Sequence, residues 1–188
     1  MPRSSSLSRT ERTLFWSLLG TVVVADVITK IIAVRALIPQ RVPRDVVGDW
    51  VRLTLVYNRG AAFGLHLGPF SREIFLALTV AALVILWRLY RGTPGGATAR
   101  LIALGLVCGG AVGNLIDRIR SPRGVVDFLD LGVGDWRWPT FNVADMAVST
   151  GAFLLAWVLW MEDRKAAALA AASAAASAEP APEKSAAP

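Results

Sequence analysis

Apolar and polar residues separate along this chain into four long apolar stretches, at 14–37, 70–89, 101–116 and 141–161. Between residues 74 and 87 the only polar side chain is Thr79. A surface helix of a soluble protein would carry a polar face there, and this one is apolar all round. No stretch is an uninterrupted apolar run of spanning length, so each reaches that length only with polar ends included. Four such helices in 188 residues leave too little chain to cover them in water, which predicts four membrane spans. Between the first and second stretches the pattern changes period. Trp50-Val51-Arg52-Leu53-Thr54-Leu55 alternates as a strand does, and Asn58-Arg59-Gly60 reads as a turn. Between the third and fourth, Val125-Val126-Asp127-Phe128 and Asp135-Trp136-Arg137-Trp138 are short strand candidates. Thr93-Pro94-Gly95-Gly96 is a short loop joining the second and third spans.

With a cytoplasmic N-terminus, both strand-bearing passages fall on the same, extracytoplasmic side. There they can pair into a small sheet resting on the bilayer, with Trp50, Trp136 and Trp138 at the interface. Lys and Arg at the segment ends and in the loops number nine on the inside, counting Arg88 at the end of the second stretch, and eight on the outside; the inside loops next to the first three spans are shorter, which favours this orientation. The expected fold class is an all-α membrane protein: four transmembrane helices with a small extracytoplasmic β-sheet formed between spans one and two and spans three and four. The expected organisation is a cytoplasmic lead at 1–13, a membrane domain at 14–161 and an Ala/Pro-rich cytoplasmic tail at 162–188. The Ala-rich part of the tail extends the last helix, and its end is disordered in this expectation.

Composition adds exclusions. Hydrophobic residues make up 54 % of the chain and mean hydropathy is +0.50. The net charge of +6 is spread over segment ends with no basic run, which argues against nucleic-acid binding. Cys108, the single cysteine, permits no internal disulfide, and beside Gly109 and Gly110 it reads as packing. The first stretch contains Asp26 and Lys30 and precedes no small-x-small cleavage site, so it is read as a retained span rather than a signal peptide.

The candidate chemistry is the set of polar residues in or beside the apolar stretches. Asp26 and Lys30, four apart, share a helix face and can pair. A charge in mid-span costs roughly 2.5–3.5 kcal/mol on insertion scales, so the two form either a neutralised pair or a polar wall of a site. Asn58 and Gly60, with Phe63, suit a loop that admits another backbone closely. Asn114 and Arg118 share a face at the end of span three, suited to hold an extended peptide or orient a carboxylate. Asp117 is read as pairing locally with a nearby arginine. Asp127 and Asp145 lie eighteen residues apart at the edge of the fourth stretch, with Asn142 just ahead of Asp145 and Thr140 as a candidate helix cap. Two converging carboxylates can share a proton and activate water. His66 is the only histidine, so a His-Glu-x-x-His zinc site is absent, and no serine motif accompanies it. No metal or cofactor is expected. Gly132-Val133-Gly134-Asp135 looks like the Gly-x-Gly-Asp of presenilin-type proteases, but it falls in a Gly/Trp loop rather than a membrane helix.

Taken in order, Asp26…Lys30, Asn58-x-Gly60-x-x-Phe63, Gly113-Asn114-x-x-Asp117-Arg118, Val126-Asp127-Phe128 and Phe141-Asn142-x-Ala144-Asp145 resemble the lipoprotein signal peptidases (signal peptidase II). The resemblance implies a membrane aspartic endopeptidase with Asp127 and Asp145 catalytic. Asn58, Gly60, Asn114, Arg118, Asn142, Asp26 and Lys30 are then its supporting, substrate-binding residues. It also implies the bacterial cytoplasmic membrane, where the orientation above gives cytoplasmic termini and an extracytoplasmic active site; the chain is expected to be a monomer. Its substrate would be a diacylglyceryl-modified prolipoprotein, cut just before the lipidated cysteine, with membrane lipids as surroundings. The alternative is a small transporter with a proton-coupled carboxylate pair, which would place its acids near mid-membrane.

Overall fold

The computed structural model describes residues 6–60 and 68–178 and is mostly helical. Phe63 and His66 lie outside the described residues. Helix α1 (Arg9–Ala36) starts at a capping box: Ser8 Oγ accepts from Glu11 N, and Glu11 Oε2 accepts from Ser8 N. A single 3-10 turn (Gly68–Phe70) leads into α2 (Ser71–Arg91), and α3 (Thr98–Arg120) and α4 (Val143–Ala178) complete the helices. All four are long and apolar enough to cross a membrane, with mean hydropathy over the best window of 2.0, 1.9, 1.7 and 1.6 in chain order. Their exposed side chains include Ile28, Ile32, Val84, Ile85, Phe153 and Trp157, a surface suited to lipid rather than water.

Helix α3 is the centre of the bundle, packed between α1 and α4 with α2 alongside. Close approach depends on glycine. A Cβ on Gly110 would overlap the carbonyl oxygen of Ala144, and one on Gly113 would lie 2.5 Å from Asp26 Oδ2. At the end away from the sheet, Phe15, Leu86, Tyr90, Leu101, Leu104 and Cys108 form a buried cluster, with the Phe15 and Tyr90 rings stacked at 4.1 Å. Cys108 thus packs as expected.

The two strand-bearing passages meet in one antiparallel sheet of order β1 (Arg44–Val47), β2 (Val51–Asn58), β3 (Val125–Val133), β4 (Trp136–Arg137). Leu55, Val126 and Phe128 seat it on Ala33 and Leu37 at the end of α1. The β2–β3 register shifts between Leu53, opposite Leu129, and Val56, opposite Asp127, so β2 carries one extra residue there. Side chains directly opposite share a face. The bulge therefore brings Val56 and, two residues on, Asn58 to the face of Asp127; unbroken pairing would have brought Tyr57. Two expectations are corrected. Gly132 and Val133 belong to β3 rather than to a loop, because they pair with Arg137 and Trp136, and only Gly134 and Asp135 form the turn. Thr140 does not cap α4, which starts later and is capped by Asn142.

Candidate active site

Asn142 is the hub of the site. It is fully buried, and its Oδ1 accepts from Asp145 N at 2.9 Å, while Asp145 Oδ2 accepts from Asn142 N at 3.1 Å. This reciprocal pair satisfies two donors at the start of α4, as a capping box does, with Asn and Asp in place of Ser and Glu. The same Asn142 side chain donates through Nδ2 to Asp127 Oδ1 at 2.7 Å and to the Val126 carbonyl at 3.2 Å. One buried amide thus links the two aspartates, one on β3 and one in the first turn of α4.

Each carboxylate has a second amide partner. Asn58, at the end of β2, donates to Asp127 Oδ2 at 3.1 Å, and its own Oδ1 accepts from Gly60 N at 2.9 Å. Asn114 donates to Asp145 Oδ1 at 2.8 Å. Asp127 is 2 % exposed, whereas Asp145 is half-buried. Burial, reinforced by the charge of Asp145, pushes the Asp127 carboxyl up to about 7; the Asn58 and Asn142 hydrogen bonds and the Lys30 charge oppose the rise.

Asp26 and Lys30 stand behind this layer. Lys30 Nζ lies 2.7 Å from Asp26 Oδ2, 2.9 Å from Asp117 Oδ2 and 2.9 Å from Asn114 Oδ1. Asp26 Oδ1 accepts from Ala144 N at 2.9 Å, and Asp117 Oδ2 accepts from Val126 N at 3.1 Å. The trio joins α1, α3, α4 and β3 at one point and fixes the amide of Asn114. Neither Asp26 nor Lys30 lines the two cavities beside Asp127. The expected local Asp117–arginine pair is corrected: Asp117 pairs with Lys30. On a helix of 3.6 residues per turn, positions three and four beyond Asn114 fall on opposite sides of it. Asp117 thereby turns to α1, while Arg118 turns to the end of β2. Arg118 donates to the carbonyls of Gly60 at 3.1 Å and Asn114 at 3.3 Å, and its buried Nε has no partner among the described residues. The Asn114–Asp117 spacing was the signal available in sequence for this trio. Arg72, which sequence reasoning passed over, donates to the Arg118 carbonyl at 2.8 Å and steadies the end of α3.

The aspartates open on a cleft of about 510 Å³ lined by Asn58, Asn114, Arg118, Phe141, Met146 and Val148 among others. Its walls are mostly apolar and its polar groups converge on Asp127 and Asp145, the usual composition of a small-molecule or peptide cleft. Among the described residues no group of three or more His, Cys, Asp or Glu side chains is placed to hold a metal ion.

The family model described as signal peptidase (SPase) II matches residues 18–161. The chain belongs to the signal peptidase II family. Among curated signal peptidase II relatives, the lipoprotein signal peptidase of Paraburkholderia phytofirmans is 45 % identical over 137 residues, covering 71 % of this chain and 77 % of its own. That of Halothermothrix orenii is 39 % identical over 144 residues, covering 76 % and 92 %. That of Moorella thermoacetica is 44 % identical over 114 residues, covering 61 % and 71 %. A solved bacterial membrane enzyme, obtained by the in meso method, superposes with a TM-score of 0.70 at 27 % identity, covering 79 % of this chain and 88 % of that one. A second such structure gives 0.67 at 28 % identity, covering 77 % and 91 %. This signal peptidase II family member is accordingly a protease and a multi-pass membrane protein.

Proposed function

We propose that this chain is an aspartic endopeptidase that removes signal peptides from diacylglyceryl-modified prolipoproteins, cutting before the lipidated cysteine, with Asp127 and Asp145 as the catalytic pair. The observation that carries the reading is the single buried amide of Asn142, bonded at once to Asp127 and to the helix turn that holds Asp145. Membership of a signal peptide-cleaving family makes peptide hydrolysis the reaction to be explained. The transporter alternative has no support, because the relatives are peptidases and the two acids sit at one end of the bundle.

The chemistry follows from the unequal surroundings of the two acids. Buried Asp127, its carboxyl pushed up to about 7, holds the proton the pair shares, and Asp145, more open to the cleft, serves as the base. Asp145 takes a proton from water as the oxygen bonds to the scissile carbonyl carbon. Asp127 gives its proton to the carbonyl oxygen, and a tetrahedral diol forms. As the C–N bond breaks, Asp145 returns its proton to the leaving nitrogen, Asp127 recovers the hydroxyl proton, and both acids are reset. Asn114 and Asn58 hold the carboxylates in register. Arg118 lines the cleft, where its guanidinium can meet a substrate carbonyl, and the Gly60 carbonyl anchors one of its arms. Asp26 and Lys30 act through Asn114 and the α4 N-terminus as positioning residues. The mostly apolar cleft suits a lipid-bearing residue, and the sheet lies on the extracytoplasmic side of the cytoplasmic membrane, with both termini cytoplasmic. The enzyme works as a monomer among membrane lipids, with residues 14–161 as the peptidase domain and 162–188 as an appendage.

The test is Asp127→Asn and Asp145→Asn, each assayed for cleavage of a diacylglyceryl-modified precursor peptide in detergent. Each change is expected to lower kcat by about 10²–10⁴ or more, the scale of a lost acid or base. Cleavage at the parental rate by either variant removes that residue from the pair.

A further inference from the structure

A second cavity, of about 610 Å³, adjoins Asp127 from the sheet side, and its rim carries Arg41, Arg59 and Arg123. It shares Asn58, Asp127, Pro139 and Thr140 with the mostly apolar cleft, so the two cavities meet at the proposed acid. They differ in chemistry: the cleft runs back along α4 past Met146 and Val148, whereas the second is bounded by arginines, Gln40 and Tyr57. None of the three arginines is in an ion pair among the described residues. Two of them are held in place. The Arg123 guanidinium stacks over the Tyr57 ring at 4.0 Å, an arrangement that leaves its edge N–H groups free to bond. Arg41 has φ of 63°, a conformation costly for a residue with a side chain, and is pinned there by its N–H donating to the Leu55 carbonyl at 2.9 Å. Arginines held at a cavity mouth without acidic partners are a ready receptor for carboxylates.

We infer that this basic cavity is the subsite for the substrate segment that follows the cleavage point, and that it selects acidic side chains there. The inference rests on the proposed function: a chain cut at Asp127 must leave one cavity and enter the other. The apolar cleft takes the signal peptide and the lipid chains carried by the cysteine, and the arginine-rimmed cavity takes the polar residues downstream of that cysteine.

The experiment measures kcat/KM for lipopeptides identical except at the second to fourth residues after the lipidated cysteine, which are Glu, Gln or Lys, in zwitterionic and in anionic detergent. The wild type is expected to favour Glu over Gln by about three- to tenfold, mostly through KM, and to disfavour Lys, with the spread narrowing at high salt. In R59Q/R123Q the Glu:Gln ratio within that variant falls towards one, and in R59E/R123E the Lys peptide overtakes the Glu peptide. Equal rates for the three peptides in the wild type overturn the inference without any variant. So does a ratio unmoved in both variants, or a preference that anionic detergent abolishes at low salt, which assigns the arginines to lipid headgroups. Cleavage of none of the peptides would instead refute the proposed function, so the two failures are distinct.

Discussion

Replacing Asn142 by serine separates two jobs that one side chain performs. Serine is a good helix N-cap, so Asp145 N retains an acceptor and α4 retains its start. What disappears is the Nδ2 amide, donated to Asp127 Oδ1 at 2.7 Å and to the Val126 carbonyl at 3.2 Å. The bond to Asp127 favours the ionised carboxylate, working against burial and the charge of Asp145. A hydrogen bond to a charged group contributes about 1.5–3 kcal/mol, and 1.36 kcal/mol corresponds to one pH unit, so its loss raises the Asp127 carboxyl by about one to two units. In the proposed mechanism Asp127 must be protonated, so activity falls as pH rises through about 7 in the parent. Asn142→Ser moves this alkaline limb upward by the same one to two units. The assay is a kcat/KM–pH profile on a diacylglyceryl-modified peptide in detergent, with thermal unfolding measured alongside. An alkaline limb that stays in place or moves to lower pH, in a protein that unfolds at the parental temperature, refutes the link between Asn142 and the Asp127 proton.

Three further outcomes follow from the same geometry. Folded Asp127 holds its proton up to about 7, whereas an unfolded aspartate loses it near 3.9, so stability falls as pH rises between those values, by up to roughly 4 kcal/mol; Asp127→Asn should remove that decline, as read from unfolding midpoints at pH 5 and 8. Lys30→Met leaves Asp26 and Asp117 facing each other without their shared cation and should cost about 3–5 kcal/mol in chemical unfolding, with cleavage lost as Asn114 loosens. Gly110→Ala, which in an open helix would gain about 1 kcal/mol from propensity, should instead destabilise by about 1–3 kcal/mol, because its methyl meets the Ala144 carbonyl; a raised unfolding temperature would show that α3 and α4 are not in close contact there.

Much of this was legible in one dimension. Period and composition foretold four apolar helices and the pairing of the two mixed passages, because burial in lipid demands an uninterrupted apolar surface and a sheet demands alternation. The spacing of Asp26 and Lys30 foretold their ion pair. Asn142 and Asp145 stood out as polar residues at the head of an apolar helix. The helix start was misjudged at Thr140, because several polar residues there are competent caps and only the path of the chain chooses among them.

The sequence by itself determined which residues are chemically conspicuous, since a polar group in or beside an apolar stretch is costly unless it has a partner or a use. Only the tertiary structure decided which touch. The β2 bulge turns Asn58 to Asp127, the glycines of α3 bring Asp26 within reach of Ala144 N, and Asp117 reaches across to Lys30 rather than to a neighbouring arginine. These contacts join residues 69 to 118 positions apart, and no local period encodes them. They are set by how closely backbones approach and by the need of every buried charge for a partner.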